Sequence, residues 1–379
     1  MEKNKIKIIE YGALTSTKGG IESYIITQLR HINKDKFQID FLVPNEYEEL
    51  AYEHEIKALN SKIYRGYIRW KNSFWGHYYT LYKFFKQHKG EYDIAIGNYL
   101  DLQNINFLII AKLFGVKVCI AHAHAGNNLR KNIKRNILVK FNRCVLSFFV
   151  DKLFACSKNA GNWMFGNKNW KEIDHYIIEN SIDYNKFLFN MKKRIELKHN
   201  LNLELGNTLV IGHTGRFAEE KNHEFIIDIF NEIVKVNKNA YLVLIGDGVL
   251  KEYIEAKINK LNLSEHVLLL GECSNINELL NIMDIFLFPS KTEGLGISLI
   301  EAQINGLLCF TSEGVVPDEV NFTENVNFIS LDKSAAYWAE KILEKDYSRK
   351  VLKKSLLISK YDINNTISAV EKILLEAIK

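Results

Sequence analysis

A chain of 379 residues, 47% hydrophobic and 25% charged, is long enough for two globular domains with separate cores and too apolar for a disordered protein. Its five cysteines, Cys119, Cys144, Cys156, Cys273 and Cys309, show no CxxC or Cys/His ligand spacing; this argues against a zinc site or disulfide framework and for buried thiols in a reducing compartment. The net charge of +5 hides an asymmetry, with 28 Lys+Arg against 18 Asp+Glu in residues 1–190 (+10) and 22 against 27 in the remainder (−5).

The start of the chain lacks an apolar signal region. The apolar run 144–150 is cut short by Asp151 and Lys152, too soon to span a bilayer. The expectation is a cytosolic chain, or one held at the inner face of a membrane.

In chain order, 6–11 reads as a strand, 12–20 as a loop, 21–30 as a helix and 37–43 as a second strand. Residues 46–60 read as an exposed helix. Residues 62–89 mix aromatic side chains with lysine and arginine. Strand 92–96, helix 104–114 and strand 117–121 follow, then a long basic helix from about 131 to 150. Strand 152–156, a helix over 158–165 and strand 175–179 complete the first half. Residues 180–186 read as a crossing linker about which two domains open and close. The second series runs strand 208–213, helix 222–236, strand 241–245, helix 249–261, strand 266–270, helix 275–283, strand 284–288, helix 296–304, strand 307–311 and strand 327–330. Helical stretches finish the chain, and the last, over 364–378, is expected to return to the first domain.

Alternating strands and helices predict parallel sheets with right-handed crossovers. The expectation is α/β: two Rossmann-like domains facing a cleft, 1–180 plus 362–379 and 181–361. Ligands of such sheets bind at the carboxyl ends of the strands.

Three stretches carry chemistry. After the strand ending at Phe288, residues 290–301 read S-K-T-E-G-L-G-I-S-L-I-E, a glycine turn feeding a helix, with Glu293 and Glu301 flanking it. Such a turn holds phosphate on backbone amides. Taken alone, Glu301 reads as a solvated surface acid; beside a phosphate site, a carboxylate suits a diol. After the strand ending at His213, residues 214–222 read T-G-R-F-A-E-E-K-N, placing Arg216 and Lys221 near a helix start. Two cations there suit a diphosphate, the alternative being an exposed basic loop. His122 and His124 end another strand with i, i+2 spacing, so both imidazoles should open into the cleft. A metal pair lacks a third ligand, and a structural pair is the other reading.

Glu293 and Glu301 in the order E-x7-E, with Gly294, Leu295 and Gly296 between them, resemble the signature of retaining family 4 glycosyltransferases with the GT-B fold. The G-R-F-A-E-E-K-N run over 215–222 is similar to that family's diphosphate loop. The run 244–248 is similar to its G-x-G turn, Gly19 and Gly20 to its first-loop glycine pair, and N-S-I-D over 180–183 to its N-G-I-D, with serine replacing glycine. These motifs lie in register along nearly the whole chain.

The resemblance implies that Arg216 and Lys221 meet the diphosphate of a nucleotide sugar, Glu293 the donor sugar and Glu301 the ribose. Gly215, Gly246 and the amides around Gly294, Leu295 and Gly296 would line the donor pocket, with residues 272–276 near the base. Across the cleft it implies Gly19, Gly20, His124 first and His122 second, the histidine reaching the donor sugar or the acceptor. The chain has no Asp-x-Asp, so Arg216 and Lys221 are expected to neutralise the diphosphate without metal or other cofactor.

The implied activity moves a hexose or N-acetylhexosamine from a nucleoside diphosphate, UDP by expectation, to a glycan or lipid-linked acceptor in bacterial capsule or exopolysaccharide synthesis. The basic aromatic stretches 62–89 and 130–143 read either as a solvated face or as a surface docking on anionic membrane. No nucleic-acid motif accompanies the charge, so no nucleic-acid partner is expected. A catalytically silent glycan- or partner-binding module would have lost Arg216, Lys221 or Glu293. A DNA-modifying glucosyltransferase rests on the basic half alone.

Overall fold

The structure, a computed structural model, describes residues 5–12, 14–16, 20–44, 49–69, 72–124, 133–179, 181–203, 206, 208–293, 295–316, 318–350 and 361–379. Two compact units divide the chain: Met1–Ile182 with Lys360–Lys379, and Asp183–Ser359.

Unit 1 is built on β1 (Ile6–Tyr11), β2 (Phe37–Pro44), β3 (Ile63–Tyr67), β4 (Ile94–Tyr99), β5 (Val118–Ala123), β6 (Lys152–Ala155) and β7 (Asp174–Ile177). They form one parallel sheet in the order β3-β2-β1-β4-β5-β6-β7. The helices are α1 (Gly20–His31), α2 (Glu53–Ala58), α3 (Phe74–Gln87), α4 (Asn106–Leu113), α5 (Ile133–Phe149) and α6 (Lys158–Glu172). Neighbouring residues of a strand point to opposite faces. Thus Ile8 packs with Ile25 and Leu29 of α1 and with Ile367, Val370 and Leu374 of the helix Ile363–Ile378. Ile9 joins Phe85 of α3, Leu108 of α4, Leu146 of α5 and Met164 of α6 on the other side. Helices covering both faces explain why the central strands are nearly continuous apolar runs.

Unit 2 repeats the plan with α7 (Tyr184–Phe187), α8 (Met191–Asn200), β8 (Leu209–Thr214), α9 (His223–Val236), β9 (Ala240–Ile245), α10 (Lys251–Lys260), β10 (Val267–Leu269), α11 (Ile276–Leu279), β11 (Ile285–Phe288), α12 (Ile297–Ile304), β12 (Leu308–Ser312), β13 (Val326–Ile329) and α13 (Ala335–Leu343). Its sheet order is β10-β9-β8-β11-β12-β13, again parallel. Ile211, Leu244 and Leu287 meet Ile226 and Phe230 of α9, Ile254 of α10 and Trp338 of α13. The helix Ile363–Ile378, α14, belongs to unit 1, and Asp362 forms a parallel bridge with Ile182.

At the amino end of β11 an ionic clamp ties unit 2 together. Asp284 accepts from Arg194 Nη2 at 2.5 Å and from the Val210 amide at 2.9 Å. Lys198 Nζ lies 3.9 Å from the same carboxylate. Arg349 donates to the Asn281, Met283 and Asn305 carbonyls.

Several elements differ from expectation. The exposed helix over 46–60 shrinks to α2, entered through Tyr52 in the left-handed region; residues 45–48 lie outside those described. The aromatic stretch 62–89 contains β3 before α3. The helix at 158–165 continues to Glu172 past a break at Gly166 (φ 78°, ψ 151°). α8, unforeseen, packs against α11. The thiols are not uniformly buried: Cys119, Cys156 and Cys309 are, whereas Cys144 on α5 is exposed and Cys273 half-buried. Among the described residues, no helix is long and apolar enough to cross a membrane.

Candidate functional site

In each sheet the winding reverses beside its first strand, between β1 and β4 and between β8 and β11. Loops leave in opposite directions there and open a crevice at the carboxyl ends of the strands. The described residues among those singled out from sequence fall at these two edges, and each edge is described within its own unit.

In unit 2 the loops after β8, β9 and β11 are laced together by their backbones. The Gly215 amide donates to the Ile245 carbonyl at 2.9 Å, the Phe217 amide to Asp247 at 2.9 Å and the Lys291 amide to Glu220 at 2.8 Å. Asn222 Nδ2 donates to the Pro289 carbonyl at 3.0 Å. Gly246 sits at φ 138°, and a Cβ there would run into the Gly215 carbonyl. Only glycine fits that approach, which fixes the β8 loop against the β9 loop.

On this scaffold a short turn, Glu219–Lys221, brings Lys221 to Glu293: Nζ lies 2.6 Å from Oε1. The ammonium also lies 5.0 Å from the centre of the Phe288 ring. Both side chains are largely withdrawn from solvent, so the pair is stronger than a surface contact. Arg216 behaves differently. Its side chain is 74% exposed and meets Glu220 Oε1 at 2.9 Å. The two expected cations are therefore not equivalent: Lys221 is placed, and Arg216 is held at the surface by an acid of its own loop.

Gly296 adopts φ 75° and caps α12 without a side-chain acceptor, leaving the first amides of α12 without a side-chain cap. Leu295 precedes it, half-buried; Gly294 lies outside the described residues. Glu301, one turn into α12, makes no side-chain hydrogen bond or ion pair, and burial pushes its carboxyl up to about 8. Taken alone it read as a solvated surface acid; in the fold it is half-buried and, among the described residues, unpartnered.

Sequence reading passed over several neighbours. Thr214 Oγ1, Ser290 Oγ and Ser312 Oγ, at the ends of β8, β11 and β12, are buried without partners. His213 donates Nδ1–H to the Leu287 carbonyl at 2.8 Å and leaves Nε2 unpartnered. The His223 ring lies 4.8 Å from it with both nitrogens unpartnered, and burial, aided by Lys221, holds its pKa down to about 4. Each unmet buried polar group costs about 1–3 kcal/mol, so this edge carries the signature of a surface that expects a polar ligand.

In unit 1, β5 runs on to Ala123, two residues past expectation. His122 therefore lies within the sheet, 3% exposed, with Phe154 at its ring edge, rather than opening outward. His124 follows on the same side, as the i, i+2 spacing predicted, its ring centre 4.0 Å from that of His122. Tyr24 of α1 packs against both rings. His124 Nε2 lies 2.8 Å from Asn98 Oδ1, and Asn98 Nδ2 lies 3.0 Å from Glu10 Oε2. Glu10 is 2% exposed, and burial raises its carboxyl to about 7. Burial lowers His124 to about 3, so the ring is neutral at physiological pH. His124 Nδ1 and His122 Nε2 are buried and unpartnered. Neither Glu10 nor Asn98 carried a sequence signal. Gly20 opens α1, whose Glu22 accepts from Thr15 Oγ1 at 2.5 Å; Gly19 lies outside the described residues.

Among the described residues, no group of three His, Cys, Asp or Glu side chains is placed to hold a metal ion.

A family model, Glycosyl transferases group 1, matches residues 194–354. EpsF of Bacillus subtilis (strain 168), a provisionally named glycosyltransferase, is 29% identical over 362 residues, covering 93% of this chain and 92% of EpsF. The UDP-Gal:alpha-D-GlcNAc-diphosphoundecaprenol alpha-1,3-galactosyltransferase of Escherichia coli is 27% identical over 240 residues, 62% of this chain and 60% of that protein. Anabaena HepE in complex with UDP matches the fold with a TM-score of 0.77 at 15% identity, covering 98% of this chain and 100% of HepE. Two parallel α/β sheets of these strand orders, with this structural match, give the GT-B fold. Over residues 194–354 the chain matches that family model, and over nearly its whole length it is similar to a bacterial glycosyltransferase.

Proposed function

We propose that this glycosyltransferase transfers a hexose or N-acetylhexosamine from a UDP-sugar to a lipid-linked glycan in bacterial surface polysaccharide synthesis, with retention and without a metal. The Lys221–Glu293 pair at the carboxyl edge of β8 and β11 carries the reading. It sets a cation and an acid side by side, which suits the junction of a sugar and a diphosphate. HepE was solved with UDP, and the E. coli relative uses UDP-Gal on a diphosphoundecaprenol-linked sugar to form an alpha linkage.

In this scheme the bond between the anomeric carbon and the β-phosphate oxygen breaks while a bond to the acceptor oxygen forms on the same face. The acceptor proton passes to the departing phosphate oxygen. Lys221 and the uncapped start of α12 stabilise the charge that accumulates on the leaving diphosphate, a role in which one lost donor costs about 3–4 kcal/mol. Glu293 holds the donor sugar, and Glu301 accepts hydrogens from the ribose diol. Arg216 swings from Glu220 to the diphosphate on binding. His124 takes part at the sugar hydroxyls.

Protection from thermal unfolding by UDP, and not by NAD, tests the donor site. Failure of UDP, GDP and ADP alike to raise the melting temperature would sink it.

The acceptor half of the reading draws on a surface of unit 1. Ile137, Phe141, Cys144 and Phe148 repeat at helical spacing on α5 and are all exposed, as are Phe74, Trp75 and Tyr79 on α3. α4 packs against both helices, so the two stripes share one face of the sheet. Lys83, Lys86 and Lys140 are exposed beside them. An apolar stripe edged with lysine suits the surface of an anionic bilayer, where a lipid-linked acceptor resides. Co-sedimentation with phosphatidylglycerol vesicles that is lost in Phe141→Glu supports it; no sedimentation at low salt refutes it.

A further inference from the structure

Glu10, Asn98 and His124 form a hydrogen-bonded chain from three different strand ends of unit 1. Glu10 is the fifth residue of β1, Asn98 the fifth of β4, and His124 immediately follows β5. The switch between β1 and β4 makes the first two neighbours although 88 positions separate them. Gly12 makes the approach possible, since a Cβ there would lie 2.6 Å from the Asn98 carbonyl oxygen. The His124 amide donates to the Tyr99 carbonyl at 3.0 Å, which pins the backbone from which the imidazole projects.

The direction of the chain follows from its acceptors. Asn98 Nδ2 faces two oxygens, Glu10 Oε2 at 3.0 Å and the Tyr11 carbonyl at 3.4 Å. Its Oδ1 must then face His124, so Nε2 of the imidazole carries the hydrogen. In a neutral ring this leaves Nδ1 with a lone pair. That atom is buried and unpartnered. The adjoining His122 ring, in contact at 4.0 Å between centres, supplies it no hydrogen bond. A desolvated acceptor with a fixed tautomer and no donor is organised for a hydrogen that arrives with a ligand.

We propose that Glu10 and Asn98 are positioning residues: they lock His124 as the Nε2–H tautomer so that Nδ1 accepts a hydrogen bond from a hydroxyl of the bound sugar. The inference rests on the glycosyltransferase reading, which supplies the sugar. It adds two residues, far apart in sequence, that orient a third. A sugar hydroxyl donates to Nδ1 and accepts nothing from it, so the site selects a hydroxyl whose hydrogen can point inward. A wrong tautomer would present N–H and repel that hydrogen.

The test combines nitrogen NMR of 15N-histidine-labelled protein with kinetics. Spectra of His124→Gln assign the His124 signals among the 11 histidines. The expected wild-type spectrum shows His124 Nδ1 unprotonated and Nε2 protonated at pH 7.5. Asn98→Leu should give mixed tautomers and lower kcat at least about tenfold, with the donor KM within about twofold. Glu10→Leu should do the same more weakly, and Glu10→Gln, whose amide oxygen still accepts from Asn98, should recover most of the loss. A protonated Nδ1 in the wild type overturns the proposal, as does an unchanged tautomer with normal kcat in a folded Asn98→Leu. If Asn98→Leu fails to fold, the contrast between Glu10→Leu and Glu10→Gln decides alone, and equal losses in both count against the role. The spectra need no substrate. Absence of UDP binding by the wild type would therefore fail the enzyme reading while leaving the tautomer result standing.

Discussion

Lys221 Nζ lies 2.6 Å from Glu293 Oε1, across 72 residues of chain. Each is the partner the other needs while no ligand is present. A diphosphate competing for the ammonium would release the carboxylate towards the sugar. Lys221→Met and Glu293→Gln should each lower kcat/KM at least about tenfold, and the double variant should be little worse than the weaker single one. Calorimetry should separate them: UDP affinity falls in Lys221→Met and changes little in Glu293→Gln. Additive losses in the double variant would show that the two act independently.

Glu301 makes a second prediction through pH. With its carboxyl pushed up to about 8 by burial, only about a tenth is ionised at pH 7. A diol is bound by the ionised form, which accepts both hydroxyl hydrogens. UDP affinity should rise several-fold between pH 7 and pH 9, and 2′-deoxy-UDP should gain less. In Glu301→Gln both the rise and the preference for the ribose should vanish, as titration calorimetry across that range would show.

Glu10 links pH to stability. Its folded carboxyl titrates at about 7 against an ordinary 4.5. Between those values the folded state keeps a proton that the unfolded state has given up. Stability is therefore lost as pH climbs through this window, and the loss is nearly complete by pH 8. Glu10→Gln removes the titration. Relative to wild type it should gain up to about 3 kcal/mol on going from pH 4.5 to pH 8, measured by urea unfolding at both values.

Gly246→Ala would place a methyl against the Gly215 carbonyl at a backbone angle that non-glycine residues rarely adopt. The β8 loop carrying Lys221 must shift. The expected result is a donor KM raised at least about fivefold with only a small fall in melting temperature, and an unaltered KM would show the two loops to be decoupled.

Asp284→Ala should act on stability and spare the ligand edge. It leaves Arg194 and Lys198 without their counter-charge, a loss of about 3–5 kcal/mol for a buried pair. Asp284 lies before β11 and Glu293 after it, at opposite ends of the strand. Protein that remains folded should bind UDP with near-normal affinity.

The alternation of strands and helices was legible because strands covered on both faces are apolar throughout, and β8, β9 and β11 could hardly be read otherwise. β3 escaped since Ile63–Tyr67 is an edge strand carrying Arg65 and Gly66, and α8 because Met191–Asn200 is polar on nearly every side. Motif spacing marked Lys221, Glu293 and Glu301 because their loops are local. Asn98 and Glu10 could not be marked, as only the pairing of β1 with β4 makes them a unit. Arg216 read the same as Lys221 on paper; only the fold distinguishes a cation turned to solvent from one set against Phe288 and Glu293.

The position of α14 has a consequence for biosynthesis. The apolar face of unit 1 formed by Ile8, Ile25 and Leu29 is closed by Ile367, Val370 and Leu374. A ribosome releases unit 2 in full before those residues emerge. Unit 1 must wait, with an oily face uncovered, while a complete domain folds in the interval. Chaperone dependence of this chain should therefore trace to its first half, and a stop codon placed just before Ile363 should send the truncated chain into the insoluble fraction.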